Sequence, residues 1–215
     1  MNATAAFSGI LLALLAGAIS PGPSFVLVCR TSMLHSRRAG LAAALGMGLG
    51  GAAFACLALA GLAALLREVP SLYAALRLAG GAYLLYLAYR IWRGAKEPLV
   101  LQTRSPGAAP APLGKVFSLS LMTQMSNPKT GVVYGSIFTA FLPPEPPTGL
   151  LIALVPGVFL VEFCWYAVVA AFFSNRRPRD LYLRSKSVID RLVAGVLGLL
   201  GVRLLTEAVS SLSGH

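Results

Sequence analysis

Residues 5–29 form an apolar run long enough to cross a membrane, and Pro21-Gly22-Pro23 sits inside it. No other feature restricts the fold as much. Pro21 and Pro23 bring no backbone N–H, and their rings crowd the carbonyls four residues earlier, at Gly17 and Ile19. In hydrocarbon a freed carbonyl has no water to bond, so such a break survives only buried in protein or lining a wet cavity. A second break, Ser126-Asn127-Pro128-Lys129, follows Pro21 after about half of the 215 residues. That spacing suggests two structural repeats, each with one interrupted helix. Paired interruptions of this kind are the sequence mark of a substrate site in secondary transporters.

The rest of the composition agrees with a membrane setting. Hydrophobic residues make up 57% and charged residues 12%, against about a quarter charged in soluble domains, and mean hydropathy is +0.76. A net charge of +11 does not point to nucleic acid, because the basic residues gather in short loops instead of on one face of a folded domain. Cys29, Cys56 and Cys164 are widely spaced, there is no CxxC, and His35 and His215 form no ligand cluster. No cofactor or metal is expected. Residues 1–20 resemble a signal peptide at Ala16-Gly17-Ala18 but lack a basic start, and the apolar run resumes at Phe25. They read as part of the first span.

Six spans follow, at about residues 5–29, 40–66, 72–91, 116–141, 150–173 and 188–205, each near the length of about 20 residues that a crossing needs. Residues 94–114, with Pro98, Pro106, Pro110 and Pro112, form the linker between repeat 1 (about 5–93) and repeat 2 (about 115–210) of a single transmembrane domain, 1–215. Residues 175–191 read as a basic loop. Tyr83, Tyr86, Tyr89 and Trp92 recur at i+3 as an interfacial aromatic belt, and Gly46 and Gly50 form a GxxxG for close helix packing. The loops after spans one, three and five carry 14 of the 18 lysines and arginines, which places them in the cytoplasm and both termini outside. Three spans per half then invert the halves. The expected fold is an all-α polytopic membrane protein: an inverted 3+3 repeat of six transmembrane helices, with helices 1 and 4 interrupted by proline.

Two ionisable residues lie near mid-membrane, Glu162 in span five and Lys129 after the second break. Each costs about 2.5–3.5 kcal/mol to insert, so such groups mark transport paths. The bland alternative is a mutual ion pair that fixes packing. Half-helices restarting after Pro23 and Pro128 point positive N-termini inward, where a carboxylate can bind. Glu162 or the freed carbonyls of Gly17, Ile19 and Gln124 can oppose an ammonium. Ser20, Ser24, Thr123, Gln124, Ser126 and Asn127 add neutral hydrogen-bonding groups, although Ser20 and Ser126 can equally serve only the broken backbone. The candidate substrate site is therefore Ser20, Pro21, Gly22, Pro23, Ser24, Gln124, Asn127, Pro128, Lys129 and Glu162. Its chemistry suits a small zwitterion.

Several motifs resemble the lysine exporter and homoserine/threonine resistance (LysE/RhtB) family of bacterial amino-acid exporters. They are Pro21-Gly22-Pro23, Arg37-Arg38-Ala39-Gly40-Leu41 leading into Ala44-Leu45-Gly46, Gly80-Gly81-Ala82-Tyr83-Leu84, Asn127-Pro128-Lys129, Phe141-Leu142-Pro143 and Trp165-Tyr166. The resemblance implies a six-helix exporter of amino acids in the bacterial inner membrane, driven by proton antiport, with the two breaks lining its site. Two positions depart from the family: Ser24 stands where Asn is common, and Gly51 where Asp is common after the span-two glycine. The missing Asp moves proton coupling onto Glu162. A homo-oligomer is compatible with this reading. The rivals are a thiol-redox carrier, which needs two cysteines that meet; another small-molecule or ion transporter; and an intramembrane hydrolase built on Ser126 or Ser24 with Lys129.

Overall fold

In this computed structural model two helices start at prolines that break the apolar runs, Pro23 and Pro128. The structure describes residues 2–68, 70–97, 111–143 and 145–213, without the side chains of residues 63–68, 70–74, 176–179 and 211–213. Most of the expected linker therefore lies outside the described residues. Among those described there are eight helices and no strand: α1 (Ala3–Ile19), α2 (Pro23–Leu34), α3 (Arg37–Glu68), α4 (Pro70–Gly94), α5 (Leu113–Met125), α6 (Pro128–Phe141), α7 (Thr148–Phe173) and α8 (Arg176–Ser213).

Both proline breaks occur as expected. Ser20 and Gly22 are extended, and Pro23 opens α2 in its first turn, where its missing N–H costs nothing. The chain bends by 61° there. At the second break Asn127 is extended and caps α6, its Oδ1 accepting the Lys129 N–H at 3.0 Å, and Pro128 is the first helical residue.

Among the described residues, residues 37–62 of α3, all of α7 and residues 180–210 of α8 are long and apolar enough to cross a membrane. The bent α1–α2 pair makes a fourth crossing if it is one span. α5 and α6 are each too short to cross alone, and Arg77 and the tyrosines make α4 less apolar.

α3 lies against α7 and α5, and α4 against α8 and α6. The expected GxxxG is a contact. A Cβ on Gly46 would stand 2.5 Å from the Phe117 carbonyl oxygen, and one on Gly50 2.8 Å from Gln124 Cβ. α4 and α8 run antiparallel, tied at one end by Lys186 Nζ donating to the Gly94 carbonyl and at the other by Arg77 and Glu207.

Residues 175–191 are not a loop. α8 begins at Arg176 and continues through them. Tyr182 packs on Phe25 and Phe173, and Lys186 pairs with Asp190 one turn on. One buried face therefore favours a helix that the charge pattern alone conceals.

The core is two apolar clusters. One includes Ile10 and Leu14 of α1, Leu59 of α3, Ile137 of α6 and Leu154 of α7. The other includes Phe25 of α2, Met47 of α3 and Tyr166 and Phe173 of α7. On α1–α2, α3 and α7 the switch between clusters falls at residues 17–24, 51 and 162. A polar layer fills that gap.

Candidate functional site

Both proline breaks lie in the polar layer, and their side chains bond directly to one another. Ser24 Oγ, in the first turn of α2, donates to Gln124 Oε1 at the end of α5 (2.6 Å). Asn127 Nδ2 donates to the same Ser24 Oγ (3.0 Å). Gln124 Nε2 donates to Glu162 Oε2 on α7 (3.3 Å), and Tyr134 OH of α6 donates to Glu162 Oε1 (2.9 Å). Four helices thus meet in one directed network. Gln124 is 1% exposed, Tyr134 2% and Glu162 3%, so this network has little water to replace a missing partner.

Lys129 does not pair with Glu162. Its Nζ donates to the Gly17 carbonyl at 3.1 Å and the Ser20 carbonyl at 2.9 Å. Gly17 is the carbonyl that Pro21 frees, so the lysine of the second break satisfies the first. Trp165 Nε1 donates to the neighbouring Ala18 carbonyl at 3.1 Å. The mutual ion pair considered from sequence is replaced by a lysine–carbonyl bridge between the two halves.

Two cavities adjoin this layer. An inner one of about 30 Å³ is lined by Ser20, Gly22, Ser24, Gln124, Asn127, Lys129, Tyr134, Glu162 and Tyr166 among others. It has room for about two waters. A wider vestibule of about 640 Å³ is lined by Ser20, Pro21, Gly22, Pro23, Asn127, Pro128 and Lys129, and on its far side by Tyr86, Arg90, Glu97, Lys186 and Asp190. Ser20, Gly22, Asn127 and Lys129 line both, and so form the wall between them. All ten residues expected at the site line one cavity or the other.

The individual roles are less uniform. Ser126 is exposed and its Oγ donates back to the Met122 carbonyl at 2.7 Å, which is the bland role considered for it. Ser20 Oγ is buried without a partner, so it does not serve the broken backbone. The residue pattern does not assign Tyr134 to the site, since a tyrosine inside an apolar run reads as core, and Tyr166 enters only within the Trp165-Tyr166 motif. Lys186 counts in the sequence only as loop charge, and Asp190 is not singled out there.

Gly51 of α3 faces the acid. A Cβ there would lie 2.9 Å from Tyr134 OH and 3.0 Å from Glu162 Cγ. The aromatic belt is exposed at Tyr86, Tyr89 and Trp92. Arg90 stands 5.9 Å over the Tyr86 ring and Arg93 5.8 Å over Tyr89. The three cysteines are free, Cys29 buried and the other two exposed. No group of metal-ligating side chains occurs among the described residues.

A family model described as LysE type translocator matches residues 15–208. The chain is 32% identical to the uncharacterized membrane protein YahN of Escherichia coli strain K12, over 89% of this chain and 85% of that protein. It is 28% identical to the threonine efflux protein of the same strain and 29% identical to that of Salmonella typhi, in each case over 87% of this chain and 91% of the relative. No solved structure matches.

Proposed function

Since this chain belongs to the LysE type translocator family and is a multi-pass bacterial membrane protein, we propose that it is a secondary active exporter. Its substrates are amino acids or related small zwitterionic metabolites, its membrane the inner one, and its site the cavity between the two broken helices. The family's translocators and the threonine efflux relatives support amino-acid export. One observation carries the location: Ser24 and Asn127, from opposite halves, bond to each other and through Gln124 to a buried acid, Glu162.

In this reading the two halves form an inverted 3+3 repeat, residues 5–93 and 115–210. The pairing of α3 with α7 and α4 with α8, counterpart helices of the halves, supports it. The basic vestibule faces the cytoplasm and both termini lie outside, by the charge bias of the loops. At about 30 Å³ the inner cavity is too small for an amino acid, so the chamber has to widen to take one. Substrate passes when Lys129 leaves the Gly17 and Ser20 carbonyls. The carboxylate then meets the helix starts at Ser24 and Thr130, whose dipoles favour negative charge. The ammonium meets Glu162. Glu162 also carries the coupling proton: bound substrate and bound proton compete for one carboxylate, which is the requirement for antiport.

The test is export from cells preloaded with an amino-acid mixture, with and without the protein. Selective depletion of one class is expected. Replacing Glu162 with Gln is expected to abolish proton-driven export while leaving insertion intact. Wild-type export by the Glu162→Gln protein would refute the coupling assignment, and no depletion by the wild type would refute export.

A further inference from the structure

Of the five charged residues lining the vestibule, Arg90, Glu97, Lys129, Lys186 and Asp190, two lysines are already held by protein groups. Lys129 bonds two carbonyls, and Lys186 Nζ donates to the Gly94 carbonyl at 3.2 Å and to Asp190 Oδ2 at 2.7 Å. The other oxygen of Asp190 is different. The residue is 2% exposed, and Oδ1 has no hydrogen-bond partner. A buried acceptor left without a donor is destabilising. Ser20 Oγ is likewise unpartnered, and Ser20 lies in the wall shared with the inner cavity. Two unsatisfied acceptors thus border one vestibule.

We propose that the vestibule is a capture site for the substrate's ammonium group, with Asp190 Oδ1 as its acceptor, used before the substrate passes Lys129 into the chamber. This rests on the exporter reading and adds a second binding site to it. An ammonium fits better than a metal ion. It supplies donors to an oxygen that lacks them, whereas a dication at Asp190 would have the Lys186 ammonium beside it and no group of three ligating side chains among the described residues. Arg90, above Tyr86 on the same wall, is the cation placed to meet the substrate's carboxylate. Ser20 Oγ is the next unpartnered acceptor, in the wall shared with the inner cavity. Two sites in series let the substrate leave bulk water before the lysine bridge opens, so a narrow chamber does not prevent capture.

The test measures binding without transport. The purified protein's melting temperature is followed against rising L-threonine, L-threonine methyl ester, which keeps the ammonium, and lactate, which lacks it. Stabilisation by the first two and not by lactate is expected. Asp190→Asn leaves Lys186 buried and unpaired, which alone can unfold the protein. The decisive variant is therefore the double exchange Lys186→Asp with Asp190→Lys, which keeps an ion pair. A half-saturating concentration of the ester raised about tenfold or more in the exchanged protein, as expected for a lost bond to a charged group, and unchanged in Ser126→Ala, whose hydroxyl serves only its own helix, supports the site. An unchanged value in the exchanged protein overturns it. Equal stabilisation by lactate, or none by any amino acid of a twenty-member panel, overturns it too. Export by wild-type cells tests the parent reading separately.

Discussion

Replacing Lys129 with Met keeps the aliphatic stem and removes the ammonium that joins the two halves. Two opposing terms decide the outcome. The Gly17 and Ser20 carbonyls each lose a donor, at 3.1 and 2.9 Å. Interhelical hydrogen bonds in membranes are worth about 0.6 kcal/mol on average and about 1.7 at most, so the loss is on the order of 1–3 kcal/mol. Against this, a lysine at membrane depth costs about 2.5–3.5 kcal/mol to insert, and methionine does not. The terms nearly cancel. Stability is predicted to change by about 1 kcal/mol or less, or roughly 2–4 °C in melting temperature for a chain of this size. Export, by contrast, is predicted to be lost, because the bridge that opens and remakes is gone. Cys29 is a built-in reporter, since it is fully buried whereas Cys56 and Cys164 are exposed. In a Cys56→Ser, Cys164→Ser background, a thiol-reactive dye labels Cys29 only as the protein unfolds. A fall of more than about 10 °C, with export lost only in proportion to the protein lost, would show that Lys129 is a structural staple and refute the gating argument.

Four other substitutions test neighbouring claims. Gly46→Leu drives a side chain into the Phe117 carbonyl and is predicted to cost about 1–3 kcal/mol, read as earlier Cys29 labelling on heating. Gly51→Asp sets a second carboxylate against Glu162 and Tyr134 OH; repulsion in a dry site predicts an altered pH profile of export, and an unaltered profile argues against contact. Tyr134→Phe removes a 2.9 Å donor to Glu162 and should slow export severalfold with unchanged insertion. Ser126→Ala should leave both export and melting temperature within error, because its hydroxyl serves only its own helix.

Proline made the two breaks legible, since its constraint is covalent and local: Pro23 and Pro128 start α2 and α6. Glu162 and Lys129 stood out because charge is rare in apolar runs. What could not be read was which group each would find. Lys129 bonds the first half of the chain, 109 and 112 positions away, and no local pattern encodes that distance. Tyr134 sits in Val132-Val133-Tyr134-Gly135 and looks like packing until its hydroxyl is placed beside Glu162. The vestibule wall was hidden for another reason. Counting Lys186 among loop charges gave an orientation but treated a helical, half-buried segment as solvent-exposed, and Asp190 passed unnoticed with it.

The two ties between α4 and α8 form a ruler. Lys186 and Glu207 lie 21 residues apart on α8, about 31 Å of helix, close to the roughly 30 Å hydrocarbon thickness of a bilayer. Polar clasps separated by that distance fit one at each headgroup layer. In the proposed six-span reading, α4, which hydropathy alone passes over, is held across the lipid by its partner. A thinner bilayer would pull one clasp into hydrocarbon, so lipid acyl length becomes a variable to which this transporter's activity should respond.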